Sequence, residues 1–477
     1  MNPSTADIKE DGGPIKNTVF HYICLEIINR VITKTGFASW LLYKAFKGLG
    51  FDSAGKQVIY EIVRGFFDQL TKVDFVLQQY KTINLQNMPL QLLNFLRFGT
   101  FLVMYFKINP KQVMGIARRQ GEGFFAKYNR FIERVMNFVT RQSSQIIEEE
   151  IPKLSPNQRI AIQHSLPQWI VEFWANAYGN SFMEELCKAS NERPPQHLRV
   201  NITKNSREHV QNALVRENIP VIKGSVAPHS LIVPNGIEVF KTKAFRKALF
   251  EMQDEGSQLA TYLVDLIPGD TVLDYCAGKG SKTLNMASLA YEMNPRALIY
   301  ASDVSERKLT ILSRRVKRSF VDWSFVNIIQ QADLPEIVKK ISFSKILVDA
   351  PCSGLGTLRR KPWIKATCTQ EDIAQLVEKQ AMILNEVLKL VEPPARIIYI
   401  TCTINPRENE EQILNFAKKH PDLAILPYRT TLSPNNPILT TSIPTASRID
   451  DRFFSLYPPL TNTEGFFGAI LEKRGKK

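Results

Sequence analysis

At 477 residues the chain is too long for one ordinary domain and long enough for two or three. With 44% hydrophobic and 22% charged residues it has the composition of a globular protein, which excludes a disordered or collagen-like chain. A formal charge of +15 favours a polyanionic partner, most simply nucleic acid, although basicity alone does not decide the matter.

The first residues, Met1 to Asp7, lack the basic-then-apolar pattern of a secretory leader. From about 15 to 150 apolar residues recur at helical spacing, as in Val19-Phe20-Ile23-Cys24-Ile27 and Val58-Ile59-Ile62-Val63-Phe66. The most apolar run, Leu92 to Ile108, carries Asn94, Arg97 and Lys107, and so reads as a buried helix rather than a membrane span. Arg118, Arg119, Lys127, Arg130 and Arg134 lie among Phe124, Phe125 and Tyr128. A solvated helix face over a core stripe explains them better than an RNA-facing surface. Pro152 and Pro156 mark a break. Trp169 to Tyr178 then reads as a short helix, Leu198 to Ile202 as a strand, and Ser206 to Val215 as a helix capped by Ser206. The region up to about 250 is expected to form a small α+β module.

From about 251 strands and helices alternate. Strands are predicted at Thr271–Tyr275, Leu298–Ser302, Val326–Gln330, Lys345–Asp349, Arg396–Thr401 and Gly465–Leu471, with helices at Glu306–Arg318 and Glu371–Val391. This alternation predicts an α/β domain with a parallel, doubly wound sheet, whose ligands bind beyond the carboxyl ends of the strands. Thr430 to Asp450, rich in Ser, Thr, Asn and Pro, reads as a long loop.

The chemistry gathers at those strand ends. Cys276-Ala277-Gly278-Lys279-Gly280-Ser281-Lys282 is a small-residue loop whose backbone can approach a ligand. It is neither a dinucleotide fingerprint nor a P-loop. Asp303 ends the second strand, where a carboxylate can accept from ribose hydroxyls, and Asp333 follows the third, where one can accept from an adenine amino group. Together they fit S-adenosyl-L-methionine. Asp349, Cys352 and Cys402 follow the fourth and fifth strands. A thiol adding to carbon 6 of cytosine would make carbon 5 able to accept a methyl group. A carboxyl group polarising the ring and a second thiol assisting release complete that scheme. Six cysteines without a C-x-x-C pair exclude a disulfide framework and a structural zinc site, so no metal is expected and reduced thiols in a cytoplasmic protein are.

Asp349 to Lys365, DAPCSGLGTLRRKPWIK, resembles the most diagnostic motif of the Sun-type RNA cytosine-5 methyltransferases, and Tyr399 to Asn409, YITCTINPREN, resembles their nucleophile motif. Gln253 to Gln258, Glu464 to Phe467 and Val200 to Glu208 resemble the entry to the catalytic domain, its closing strand and the preceding module. The helical region resembles the NusB-like domain of the bacterial branch that acts on small-subunit ribosomal RNA. The resemblance implies three parts: a NusB-like helical domain over 15–165, an α+β RNA-binding module over 166–250, and a Rossmann-like methyltransferase domain over 251–477. It implies Cys402 as nucleophile, Cys352 as the group assisting release, and Asp349 at both the cofactor's methionine end and the base. It places residues 276 to 282 and Asp303 and Asp333 around S-adenosyl-L-methionine. Arg359, Arg360, Lys361 and Lys365 are expected to meet RNA phosphates. The implied substrate is 16S ribosomal RNA, with transfer RNA or a non-catalytic assembly role as alternatives. A monomer without membrane association is expected. Departures from the family pattern are Lys279, Ser281, Trp363 and Ala366.

Overall fold

The computed structural model describes residues 18–48, 51–119 and 123–475. The chain divides into two compact units. The first runs to Asn191 and includes the distant segment Lys361–Thr367; the second holds Glu192–Arg360 and the chain from Cys368 onward. The helical expectation for residues 15–17 lies outside the described residues.

The first unit is helical. Its long helix Ser53–Gln78 starts where the Asp52 side chain accepts from the Gly55 N–H at 2.8 Å. Leu90–Phe106 is buried on nearly every side, as its apolar run predicts. Its Arg97 survives there because Asp74 meets the guanidinium with two bonds of 2.7 Å. Ile132, Val135, Met136 and Val139 of helix Asn129–Glu149 face the core, while Arg130 and Arg134 are exposed, which is the solvated-face arrangement. Trp363 and Ala366 pack on this same core, and Lys365 is buried beside them. The Lys365 ammonium donates to Asn191 Oδ1 at 2.7 Å and lies 3.6 Å from Asp68. Among the described residues no helix is long and apolar enough to cross a membrane.

The second unit opens with a four-stranded antiparallel sheet of β1 (Gln196–Val200), β2 (Ile222–Lys223), β3 (Ser230–Val233) and β4 (Phe250–Met252), in the order β2-β3-β1-β4. Helix Arg207–Arg216 covers it, capped by Ser206, whose hydroxyl accepts from the His209 N–H at 3.2 Å. Arg199 ties this sheet to the chain beyond β4, through Gln253 Oε1 at 2.7 Å and the Leu284 carbonyl at 3.3 Å.

The large sheet contains β5 (Thr271–Asp274), β6 (Leu298–Asp303), β7 (Val326–Gln330), β8 (Lys345–Asp349), β9 (Ala395–Thr401), β10 (Leu423–Leu426), β11 (Phe454–Leu456) and β12 (Phe466–Lys473). Its order is β10-β12-β9-β8-β5-β6-β7, with β11 on β12. The pairs among β5 to β9 are parallel, whereas β12 runs antiparallel to β9, β10 and β11. The sheet is therefore mixed, a correction to the all-parallel expectation. A chain entering β12 from the far side of the sheet needs no helical crossover to pair with β9. The chain winds outward from β5 through β7, then returns to the other side of β5 with β8. That reversal opens a crevice at the ends of β5 and β8.

The segment expected as a loop, 430–450, is more ordered than its composition suggests. It contains the short helix Pro437–Thr440 and a bridge from Ala446 to Phe454, and it buries Ile438, Thr445 and Ser447.

Candidate active site

Sheet register sets the site. Asp349 of β8 lies opposite Ile400 of β9, and the Ala350 N–H donates to the Ile400 carbonyl at 2.9 Å. Cys352 and Cys402 then leave adjacent strands at nearly the same level. Their sulfurs stand 3.4 Å apart, each partly buried. The shared hydrogen bond to Cys402, and then burial, push the Cys352 thiol well above its ordinary range. Beside them Asp349 Oδ2 lies 2.7 Å from the Lys282 ammonium, which also sits over the Phe466 ring at 5.4 Å. Sequence reasoning put Lys282 at the end of the loop and Asp349 after a strand, but gave no sign that the two pair.

A cavity of about 1030 Å³ fills the crevice. Tyr275, Cys276, Gly278, Asp303, Gln331, Asp349 and Pro351 are among its lining residues. The loop from Cys276 to Lys282 turns through Gly280, whose φ of +82° and contact with Leu312 leave no room for a Cβ. Asp303 is held by the N–H groups of Gly278 at 3.0 Å and Ser305 at 2.9 Å, with Lys308 at 3.3 Å from both oxygens. Cys276 lines the cavity, and burial pushes its thiol strongly up. Of this loop only Cys276 and Gly278 are among the lining residues; Ala277, Lys279, Gly280, Ser281 and Lys282, expected there as well, are not. Lys279 is exposed and its carbonyl accepts from Arg315 at 2.5 Å.

Two expectations shift. Asp333 is exposed in a short helical turn and does not line the cavity, whereas Gln331, two residues earlier, does. The buried Gln331 Oε1 has no hydrogen-bond partner in the structure. The basic set near the motif also separates. Lys361 is exposed, but Arg359 is buried and donates to Asn462 at 2.9 Å, and Arg360 is tied to Glu464 and to Asp254 at 3.3 Å. Lys365 lies in the helical core, where burial lowers its pKa. Arg359, Arg360 and Lys365 hold the fold together through internal partners, which corrects the expectation that all four meet phosphate. Among the described residues no group of three or more His, Cys, Asp or Glu is arranged to hold a metal.

A model of the 16S rRNA methyltransferase RsmB/F family matches residues 261–472, and the ferredoxin-like domain model of the RsmF/B-like methyltransferases matches residues 166–240. Over these residues the chain is similar to the RsmB/F methyltransferases. It is 28% identical to a probable ribosomal RNA small subunit methyltransferase B of Bacillus subtilis, over 97% of this chain and all of that one. It is 26% identical to the ribosomal RNA small subunit methyltransferase B of Photorhabdus laumondii, over 96% of this chain and all of that one. The crystal structure of PH0851 shares the fold, with TM-score 0.73 and 22% identity over 95% of this chain and 99% of that one. A methyltransferase homolog protein from Pyrococcus horikoshii aligns with TM-score 0.53 and 25% identity, over 67% of this chain and all of that one. The chain is an RNA methyltransferase, and its cofactor is S-adenosyl-L-methionine. The cavity fits that cofactor, with a carboxylate, an orphaned amide oxygen and a glycine-bearing loop around one crevice.

Two further results are expected from this site. Gly356 lies where three backbone segments meet. Its N–H donates to the Cys402 carbonyl at 3.2 Å and its carbonyl accepts from the Gly465 N–H at 2.8 Å. A Cβ there would stand 2.9 Å from the Cys402 carbonyl oxygen and closer still to Gly465. Gly356→Ala is expected to displace the Cys402 loop and lower turnover by roughly tenfold or more, read as kcat at saturating RNA. An unchanged kcat would show that the loop yields without consequence.

Asp274 lies fully buried under the cofactor loop, accepting from Thr283 at 2.6 Å, and its Oδ1 has no hydrogen-bond partner in the structure. Burial raises this carboxyl from 3.8 to about 7. The folded protein keeps a proton that the unfolded chain has released. The stability it contributes is full below about pH 4 and is lost as pH rises toward 7, at a cost on the order of a few kcal/mol. Asp274→Asn retains the acceptor for Thr283 without the charge. The fall in melting temperature between about pH 5 and pH 8 is expected to shrink in this variant. An unchanged slope would assign the fall to other groups.

Proposed function

We propose that the protein methylates carbon 5 of a cytosine in 16S ribosomal RNA through a covalent adduct between Cys402 and carbon 6. The observation that carries this reading is the pair of thiols 3.4 Å apart at the ends of adjacent strands, with Asp349 beside them. A small-molecule or oxygen-directed methyl transfer has no use for two such thiols. Support for the RNA species comes from the relatives named as small-subunit ribosomal RNA methyltransferases.

Within this reading Asp303 holds the ribose of S-adenosyl-L-methionine, Gln331 offers its amide oxygen to the adenine amino group, and Asp349 stands at the methionine end. When bound, the cofactor supplies an electrophilic methyl group. Cys402 adds its sulfur to carbon 6, which raises electron density at carbon 5. Asp349, fixed by Lys282, polarises the ring. Once the Cys402 sulfur is bonded to carbon it no longer shares the Cys352 proton. The largest cause holding the Cys352 thiol up is then gone. Cys352 can then lose that proton to water and, as thiolate, take the proton on carbon 5; the electrons of that C–H bond restore the carbon 5–carbon 6 double bond, and the Cys402 sulfur leaves carbon 6 as a thiolate. The target base must be single-stranded or flipped out to reach the thiols.

The test is methyl transfer from labelled cofactor to unmodified ribosomal RNA, with the modified base identified after digestion. RNA carrying 5-fluorocytosine should arrest on the protein as a denaturation-resistant complex, because fluorine cannot leave carbon 5 as a proton does. Label on another base, or on cytosine without an arrested complex, would refute the reading.

A further inference from the structure

The proposed reaction leaves unused a fully buried carboxyl group beside the two thiols. Glu408 is 0% exposed and sits between the two cysteine loops. Its Oε1 accepts from the Ser353 N–H at 2.8 Å and from Gln380 Nε2 at 3.1 Å. Its Oε2 accepts from the Ser353 hydroxyl at 2.5 Å, Asn405 Nδ2 at 2.9 Å and, more weakly, the Thr403 hydroxyl at 3.4 Å. Ser353 follows Cys352 and Thr403 follows Cys402 in the chain, and their hydroxyls are 2.9 Å apart. Gln380 also donates to the carbonyl of Pro351, the residue before Cys352, at 3.0 Å.

The strands themselves end at Asp349 and Thr401, and past Ala350 the two loops share the backbone bond from Gly356 to Cys402. Beyond the strand ends the thiols stand on irregular chain, and a separation of 3.4 Å between sulfurs needs another constraint. A carboxylate provides it, since it accepts on both oxygens and every group it meets here can donate. A carboxamide cannot replace it without loss. Its NH₂ would face a donor either at Ser353 and Gln380 or at Asn405, and Asn405 is held in orientation because its Oδ1 accepts from the Arg407 N–H at 3.0 Å.

We propose that Glu408 is a positioning residue: it clamps the chain beside both cysteines and so sets the distance between the Cys352 and Cys402 sulfurs. The inference rests on the two-thiol reading of the reaction for its bearing on turnover, but not for its geometry. Glu408 touches neither base nor cofactor.

The experiment uses the full-length protein with Glu408→Gln, and with Ser353→Ala as a second, milder variant. Three quantities are read: kcat and KM for RNA and cofactor, cofactor affinity, and the rate at which the thiol oxidant diamide joins Cys352 to Cys402. Glu408→Gln is expected to lower kcat roughly tenfold to a hundredfold, as a misplacement near 1 Å does. Cofactor affinity and thermal melting should stay close to wild type. Disulfide formation should slow by about tenfold or more, because two sulfurs no longer in register rarely meet the required geometry. Ser353→Ala should show the same pattern to a lesser degree. If both variants keep the wild-type oxidation rate and kcat, the clamp is refuted. Slowed methylation at an unchanged oxidation rate would also refute it, since the thiols would then be in place. Should the wild type transfer no methyl group to cytosine, the two-thiol reaction falls, while the oxidation rates still decide the positioning role.

Discussion

Replacing Cys402 with alanine is expected to abolish methyl transfer, with a loss of at least about a thousandfold in kcat. Without the sulfur nothing adds to carbon 6, and carbon 5 of cytosine is too weak a nucleophile to take the methyl group directly. Cofactor binding should survive, because Cys402 is not among the residues lining the crevice. The check is label incorporated into ribosomal RNA alongside calorimetric cofactor affinity. Retained transfer by Cys402→Ala, with transfer lost on replacing Cys352, would exchange the roles of the two thiols.

Cys352→Ala should produce the opposite symptom. Addition and methylation can proceed, but the group that removes the carbon 5 proton is gone. A covalent protein–RNA complex should accumulate with ordinary RNA and cofactor, visible as a band of reduced mobility on a denaturing gel. Steady-state turnover should fall by about a hundredfold to ten thousandfold, the usual weight of one acid–base group. The complex should be absent from the Cys402→Ala, Cys352→Ala double variant. A Cys352→Ala protein that turns over normally without trapping RNA would show that solvent removes the proton unaided.

The catalytic half was readable from sequence because its strands are short apolar runs, ended by aspartate in β5, β6 and β8 and by Thr401-Cys402 in β9. The expected ends of β5, β8 and β9 match those observed to within a residue. Those are the ends that place Asp274, Asp349 and Cys402. What sequence could not supply came from pairing. β10 and β11 are brief, and they are strands chiefly because β12 lies alongside them. The direction of β12 is likewise a tertiary fact. The exchange of Gln331 for Asp333 depends on how a three-residue turn rotates its side chains, which residue type does not reveal. Glu408 lies within the nucleophile motif, but its role needs Ser353 and Thr403 to be neighbours, and they are 50 residues apart. Arg359 and Lys365 look like phosphate ligands by charge alone; the burial of Arg359 depends on Asn462, 103 residues on, and that of Lys365 on which core the helix Ile364–Thr367 enters.

That short helix bears on how the protein is made. The helical unit is completed by Lys361–Thr367, which leaves the ribosome roughly 170 residues after Asn191. At ordinary synthesis speeds of about 5–20 residues per second, the nascent helices wait some 10–35 s for Lys365 to reach Asp68 and Asn191. During that interval the core lacks Trp363 and Ala366. The two halves are thus bound to a common schedule of synthesis. A fragment ending at Asn191 leaves Asp68 and Asn191 without Lys365 and part of the apolar core uncovered, whereas one in which 361–367 is joined back through a short linker restores these contacts.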